Sequence, residues 1–228
     1  MDKTPFSIYD FLGYLFAGFL LLAAVDYAFD LHWLIGQKME ASSVAFWVVA
    51  SYVTGHVNAQ WASWLYESKL IKKLGYPSAN LFAEAARRPF KHYRTPLPAQ
   101  TAKSIRAKFE RMSAGFGEGE DMFLFSYHLV KEQCPQATAR LGTFLNVYGF
   151  ARNLSFASVL VAIVLAVAAV VKSKPMLWPL IAASLVVAVT LFFRFLKYYR
   201  HYSIEVFATF LTSVKEDAER KPSRRGVA

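Results

Sequence analysis

Two groups of residues stand out for the chemistry their side chains could do. The first is a polar run inside an apolar stretch, Ser51-Tyr52-Val53-Thr54-Gly55-His56-Val57-Asn58-Ala59-Gln60. Ser51, Gly55, Ala59 and Ser63 recur at four-residue spacing, a ladder of small residues that lets a second helix approach closely. His56 and Gln60 lie one turn apart on a neighbouring face, with Tyr52 a turn before them and Asn58 pointing elsewhere. Polar groups in hydrocarbon need partners, so these side chains must face protein or water. Two readings stay open here: hydrogen bonding between helices, or the lining of a water-filled pore. A metal site is not expected, because His56 has no second intramembrane His, Cys or carboxylate at ligand spacing.

The second group is a compact basic loop, Arg87, Arg88, Lys91, His92 and Arg94, with Phe90 and Tyr93 interleaved. Lys103, Arg106 and Arg111 follow on the next helical stretch. Cations beside rings suit a nucleotide or single-stranded nucleic acid, because arginine pairs with phosphate and bases stack on aromatic faces. Anionic lipid or structural ion pairs are the alternative. Lys69, Lys72, Lys73 and Arg152 lie beside span ends, where membrane topology and anionic lipid already account for them.

No enzyme and no cofactor are expected. Gly115-Phe116-Gly117-Glu118-Gly119 follows a helix, lacks a following Lys-Ser/Thr, and sits among acids that repel phosphate. It reads as a loop. His128 and Cys134 have no third partner, and Asp10 and His128 are only loose candidates for acid–base work at a lipid interface. The single cysteine, Cys134, precludes an internal disulfide.

These groups need elements to hold them, and composition says which. The chain of 228 residues is 55% hydrophobic, 16% aromatic and 18% charged. A soluble domain carries about 25% charge. The apolar residues fall in four blocks, each near the roughly 20 residues that cross a bilayer. The expected class is therefore all-α: a polytopic α-helical membrane protein with four transmembrane helices and a helical cytoplasmic domain. Residues 1–66 form a hairpin with spans at about 6–25 and 44–64. Residues 67–153 form a basic helical domain, and 154–194 a second hairpin with spans at about 154–171 and 178–193. Residues 195–228 are a cytoplasmic helix and tail. Asp10 lies near the end of span one, with Gly13 and Ala17 at packing spacing.

Lys and Arg fix the orientation. The segments 67–153 and 194–228 hold fourteen and eight, while the two short connections hold one and two. Both termini and the central domain are thus expected on the cytoplasmic side of the membrane. Within that domain, helices are expected over about 79–88, 99–112 and 121–133, with a loop at 89–98 where three prolines interrupt. Span two continues to Gly75. Span four continues to about Arg220, with Phe195, Tyr199, Tyr202, Val206, Phe210 and Val214 forming one stripe.

Four short spans, a basic helical cytoplasmic part and no catalytic set resemble the small membrane effectors of bacterial anti-phage defence. Among these the layout is most similar to the channel effector of Hailong-type systems, and the four-span Kiwa-type membrane component has a similar layout. The likeness is architectural over the whole chain and carries over no functional residue. It implies a homo-oligomeric ion channel held shut by an oligonucleotide or nucleotide ligand, with a partner nucleotidyltransferase or other soluble defence protein. The competing expectation is a non-conducting membrane anchor or sensor that recruits a soluble cytoplasmic partner.

Overall fold

A computed structural model of the chain describes residues 8–34, 40–85, 90–113 and 121–215, with side chains from Phe11 onward. Arg87, Arg88, the glycine loop at 115–119, the tail beyond Lys215 and the Asp10 side chain lie outside the described residues. In chain order the helices are α1 (Ile8–Phe29), α2 (Ala41–Leu65), α3 (Lys72–Leu74), α4 (Pro77–Asn80), α5 (Lys91–Arg94), α6 (Ala99–Ser113), α7 (Met122–Gln133), α8 (Pro135–Val171) and α9 (Trp178–Ser213). A π-helical turn, Tyr66–Ile71, joins α2 to α3, and a 3₁₀ turn, Pro175–Leu177, precedes α9. No strand occurs among the described residues.

Three stretches are long and apolar enough to cross a membrane: Phe11–Phe29, Pro135–Val171 and Pro175–Ser213. The helix α2 has the length, 25 residues, but its Ser, Thr, His, Asn and Gln content leaves it outside that group. The expected third and fourth spans lie inside much longer continuous helices of 37 and 36 residues.

The chain forms two compact units. The first comprises Met1–Pro77 and Thr143–His201. Its construction depends on how closely α1 meets α2. A carbon placed at the Cβ position of Gly18 would lie 1.7 Å from the Ser51 carbonyl oxygen, and one on Gly55 would lie 1.9 Å from that of Tyr14. No side chain fits at either position, so two glycines bring the backbones into direct contact. Further along α1, Ala24 and Ala28 pack with Val161, Leu165, Ala168, Leu177 and Ile181.

Two helix ends close this unit at one side. Asp30 takes a left-handed conformation after α1 (φ 56°), and Leu31 N donates to Asp26 O at 3.1 Å. Ser173 does the same after α8 (φ 49°), with Lys174 N donating to Ala169 O at 3.0 Å. Both are Schellman closures without glycine. They bring Asp30 against Lys172 Nζ (3.0 Å) and Lys174 Nζ (2.6 Å), while Lys172 Nζ also donates to Phe29 O at 2.6 Å. The Lys174 ammonium first, then that of Lys172, lowers the Asp30 pKa from 3.8 to about 2.

The second unit comprises Ser78–Gly142 and Tyr202–Ala228. Leu81, Tyr93, Ile105, Val130, Phe207 and Phe210 are buried in it. Of the helix expected over 79–88, the described residues 81–85 are not helical. Helix α4 ends at Asn80, because Leu81 is buried and its carbonyl accepts from Leu97 N (2.9 Å) instead of continuing a helix. Inside the expected loop, α5 makes one turn that starts from Phe90 in a left-handed conformation. The stripe on α9 is buried at Phe195 in the first unit and at Tyr202, Val206, Phe210 and Val214 in the second. That helix ends at Ser213 rather than near Arg220, for a reason given below.

Two outcomes follow from these contacts. Gly18→Leu or Gly55→Leu should destabilise the protein by at least the roughly 1–3 kcal/mol typical of overpacking. Gly149 has nothing within 4 Å of its Cβ position, so Gly149→Ala should raise the melting temperature. Thermal unfolding of the full chain in detergent distinguishes the two kinds of glycine. The Asp30 carboxylate, with its lowered pKa, adds stability above its unfolded value of 3.8 and loses it as pH falls toward 2. Asp30→Asn should therefore melt below wild type near neutral pH, and the two should converge through that acid window.

Candidate functional site

The close approach to α1 fixes which way each α2 side chain points. Ser51, Gly55, Asn58, Ala59 and Ala62 are buried. His56 and Gln60 are exposed, and Ser63 is half-buried. The polar residues of α2 thus divide between an inner and an outer face. On the outer side the His56 ring stacks on Tyr14 (4.1 Å between centroids) and meets Tyr52 edge-on at 4.5 Å. Phe11 extends the cluster through Tyr52 at 5.3 Å.

On the inner face the Asn58 amide donates from Nδ2 to Asn153 O at 2.9 Å, while its Oδ1 is buried with no hydrogen-bond partner among the described residues. Arg152 Nε and Nη2 donate to Asn153 Oδ1, each at 3.1 Å. Its third nitrogen, Nη1, bridges Glu67, and Ser63 Oγ donates to the other oxygen of that carboxylate at 3.1 Å. One turn away, Ser155 Oγ donates to Ala188 O (2.8 Å), so Tyr66 OH is the donor in its 3.0 Å contact with Ser155. Asn58, Tyr66 and Glu67 therefore tie α2 and its π turn to α8, with Ser63 holding the Glu67 carboxylate. Beside this network, Gly13, Tyr14, Asn146, Gly149, Arg152 and Asn153 line a cleft of about 280 Å³ between α1 and α8.

The basic residues of the second unit take different roles. Lys91, His92, Lys103 and Arg111 are exposed, and Arg94 is half-buried. Tyr93 is 4% exposed, so its ring is inside the unit and offers no face to a ligand. Arg106 donates from Nη2 to Phe82 O at 3.2 Å, with its guanidinium 5.4 Å from the Phe82 ring centroid. Arg87 and Arg88 fall outside the described residues.

No protein-family model, curated protein or solved structure matches this chain. What the residues can do follows from their geometry alone. No group of three or more His, Cys, Asp and Glu suited to a metal ion occurs among the described residues.

Sequence reading missed three features. Gly18, one residue after Ala17, is the position that meets α2, while Gly13 meets Phe150 of α8. Glu67 is an ordinary acid in sequence until Arg152 is brought to it from 85 residues away. Lys108 is 6% exposed, and its Nζ donates to Leu211 O (3.2 Å) and Val214 O (2.6 Å), 5.3 Å from the Phe210 ring centroid. It caps the last carbonyls of α9, where the helix dipole favours a cation, and so ends that helix. Lys108→Met should cost roughly 2–3 kcal/mol, the scale of lost hydrogen bonds to a charged donor. The expected signs are a lower melting temperature and faster amide exchange over 205–213.

Proposed function

We propose that the chain is the subunit of an oligomeric membrane channel whose wall includes α2. The observation that carries this reading is the exposure of His56 and Gln60 among the outward valines and tryptophans of that helix. His56 and Gln60 project from a 25-residue helix that packs backbone to backbone on an apolar neighbour. In hydrocarbon such groups are costly, and a second subunit or a column of water removes the cost. A ring of copies around an axis supplies both. With α2 counted as a fourth span, the chain has the layout on which its resemblance to Hailong-type channel effectors of anti-phage defence rests. The basic surface of the second unit, with Lys91, His92, Lys103 and Arg111 exposed, suits a polyanion such as an oligonucleotide or nucleotide. Burial of Tyr93 favours phosphate pairing over base stacking there.

A second reading has its own support. The second unit has its own buried core, which suits a membrane anchor that presents a basic docking domain without conducting.

Purified full-length protein in planar bilayers distinguishes them. The channel reading expects current that an added oligonucleotide changes. His56→Leu with Gln60→Leu should reduce it by roughly tenfold or more, since an apolar constriction excludes water. Absence of current with and without oligonucleotide refutes the channel and leaves the anchor.

A further inference from the structure

The π turn that follows α2 has a consequence for lipid. Its i→i+5 bonding brings residues five apart onto one side, which α-helical geometry does not do. Lys69 Nζ accordingly lies 5.3 Å from the ring centroid of Trp64, five residues earlier. Trp64 is 47% exposed, and Trp61 meets it edge-on at 5.7 Å. On the inner side of the same turn, Tyr66 contacts Phe192 (5.3 Å) and Phe195 (5.9 Å) of α9. The stretch of α9 at that level carries a second cation–ring pair, with the Arg194 guanidinium 5.3 Å from the Tyr198 ring centroid. Lys69, Lys72, Arg194 and Lys197 are all exposed. The described acid at this end of the unit, Glu67, is already held by Arg152 and Ser63.

We infer that this end of the first unit is a binding site for anionic phospholipid, built from two cation–aromatic pairs. An indole prefers the headgroup level, with its ring against the acyl boundary and its N–H in the wet layer. An ammonium held over that ring sits where the phosphodiester of a lipid lies. Arg194 and Tyr198 repeat the arrangement on the neighbouring helix. The ligand class is a glycerophospholipid with net negative charge. The site rests on the membrane reading and is independent of whether the protein conducts.

Native mass spectrometry of the unmodified full-length protein, offered equimolar phosphatidylglycerol and phosphatidylcholine, tests it. Phosphatidylglycerol should be retained about fivefold or more in preference, the scale of one basic residue near a charged headgroup. Lys69→Gln with Lys72→Gln should bring the two lipids toward parity, and so should Arg194→Gln with Lys197→Gln. Lys69→Arg should keep the preference. Circular dichroism of each variant checks that the helices persist, as expected for exposed side chains. Equal retention of the two lipids by wild type overturns the proposal, as does a preference unchanged in both double variants. If inorganic phosphate or an oligonucleotide removes the preference, the patch is a general phosphate site and the lipid assignment is wrong. Retention of neither lipid removes the membrane reading as well, so the two failures are told apart.

Discussion

The backbone contact between α1 and α2 is the constraint from which the rest of the first unit follows. Gly18 and Gly55 face each other so closely that a single methyl group on either would overlap a carbonyl oxygen. Close approach maximises dispersion contact between the two helices. It also removes rotational freedom. Once Gly55 is against Tyr14, Asn58 must turn inward to Asn153 and His56 must turn outward over the Tyr14 ring. One pair of glycines therefore decides which polar residues of α2 are structural and which remain available.

The inner polar residues illustrate how a membrane-type interior tolerates them. Asn58 donates to Asn153 O, Arg152 donates to Asn153 Oδ1 and pairs with Glu67, and separately Tyr66 donates to Ser155. The charges thus meet as an ion pair where an isolated one would be most costly. Asn58 is the exception, since its Oδ1 has no hydrogen-bond partner among the described residues. A buried carbonyl of this kind costs on the order of 1–3 kcal/mol unless a water reaches it. The cleft beside Asn153 is polar and wide enough to hold several waters.

Much of the fold was legible because it rests on local signals. Apolar runs, the Asp121 cap that accepts from Phe123 N at 2.7 Å, and the stripe from Phe195 to Val214 all appear in sequence as periodicity or capping chemistry. The errors arose where a distant partner decides a local outcome. Residues 79–88 have helical composition, but Leu97 takes the carbonyl of Leu81 and stops the helix. The end of α9 carries no glycine or proline, and Lys108 ends it from 106 residues away. Tyr93 looked like a stacking platform because aromatic and basic residues alternate there. Burial of its ring is a tertiary fact that alternation cannot encode.

The π turn joins these levels. Tyr66 and Ile71 are 5% and 0% exposed, five residues apart. In an α-helix residues so spaced point about 140° apart, and one of them would face outward. Inserting a π turn lets both lie inward, so Tyr66 reaches Ser155 while Ile71 stays covered. The same shift turns Lys69 back over Trp64 on the outer side. A continuous α-helix could keep the tyrosine contact or the isoleucine packing, and it would separate the lysine from the indole in either case. The irregularity is thus the arrangement that lets one short segment close the interior and present a cation at the helix end.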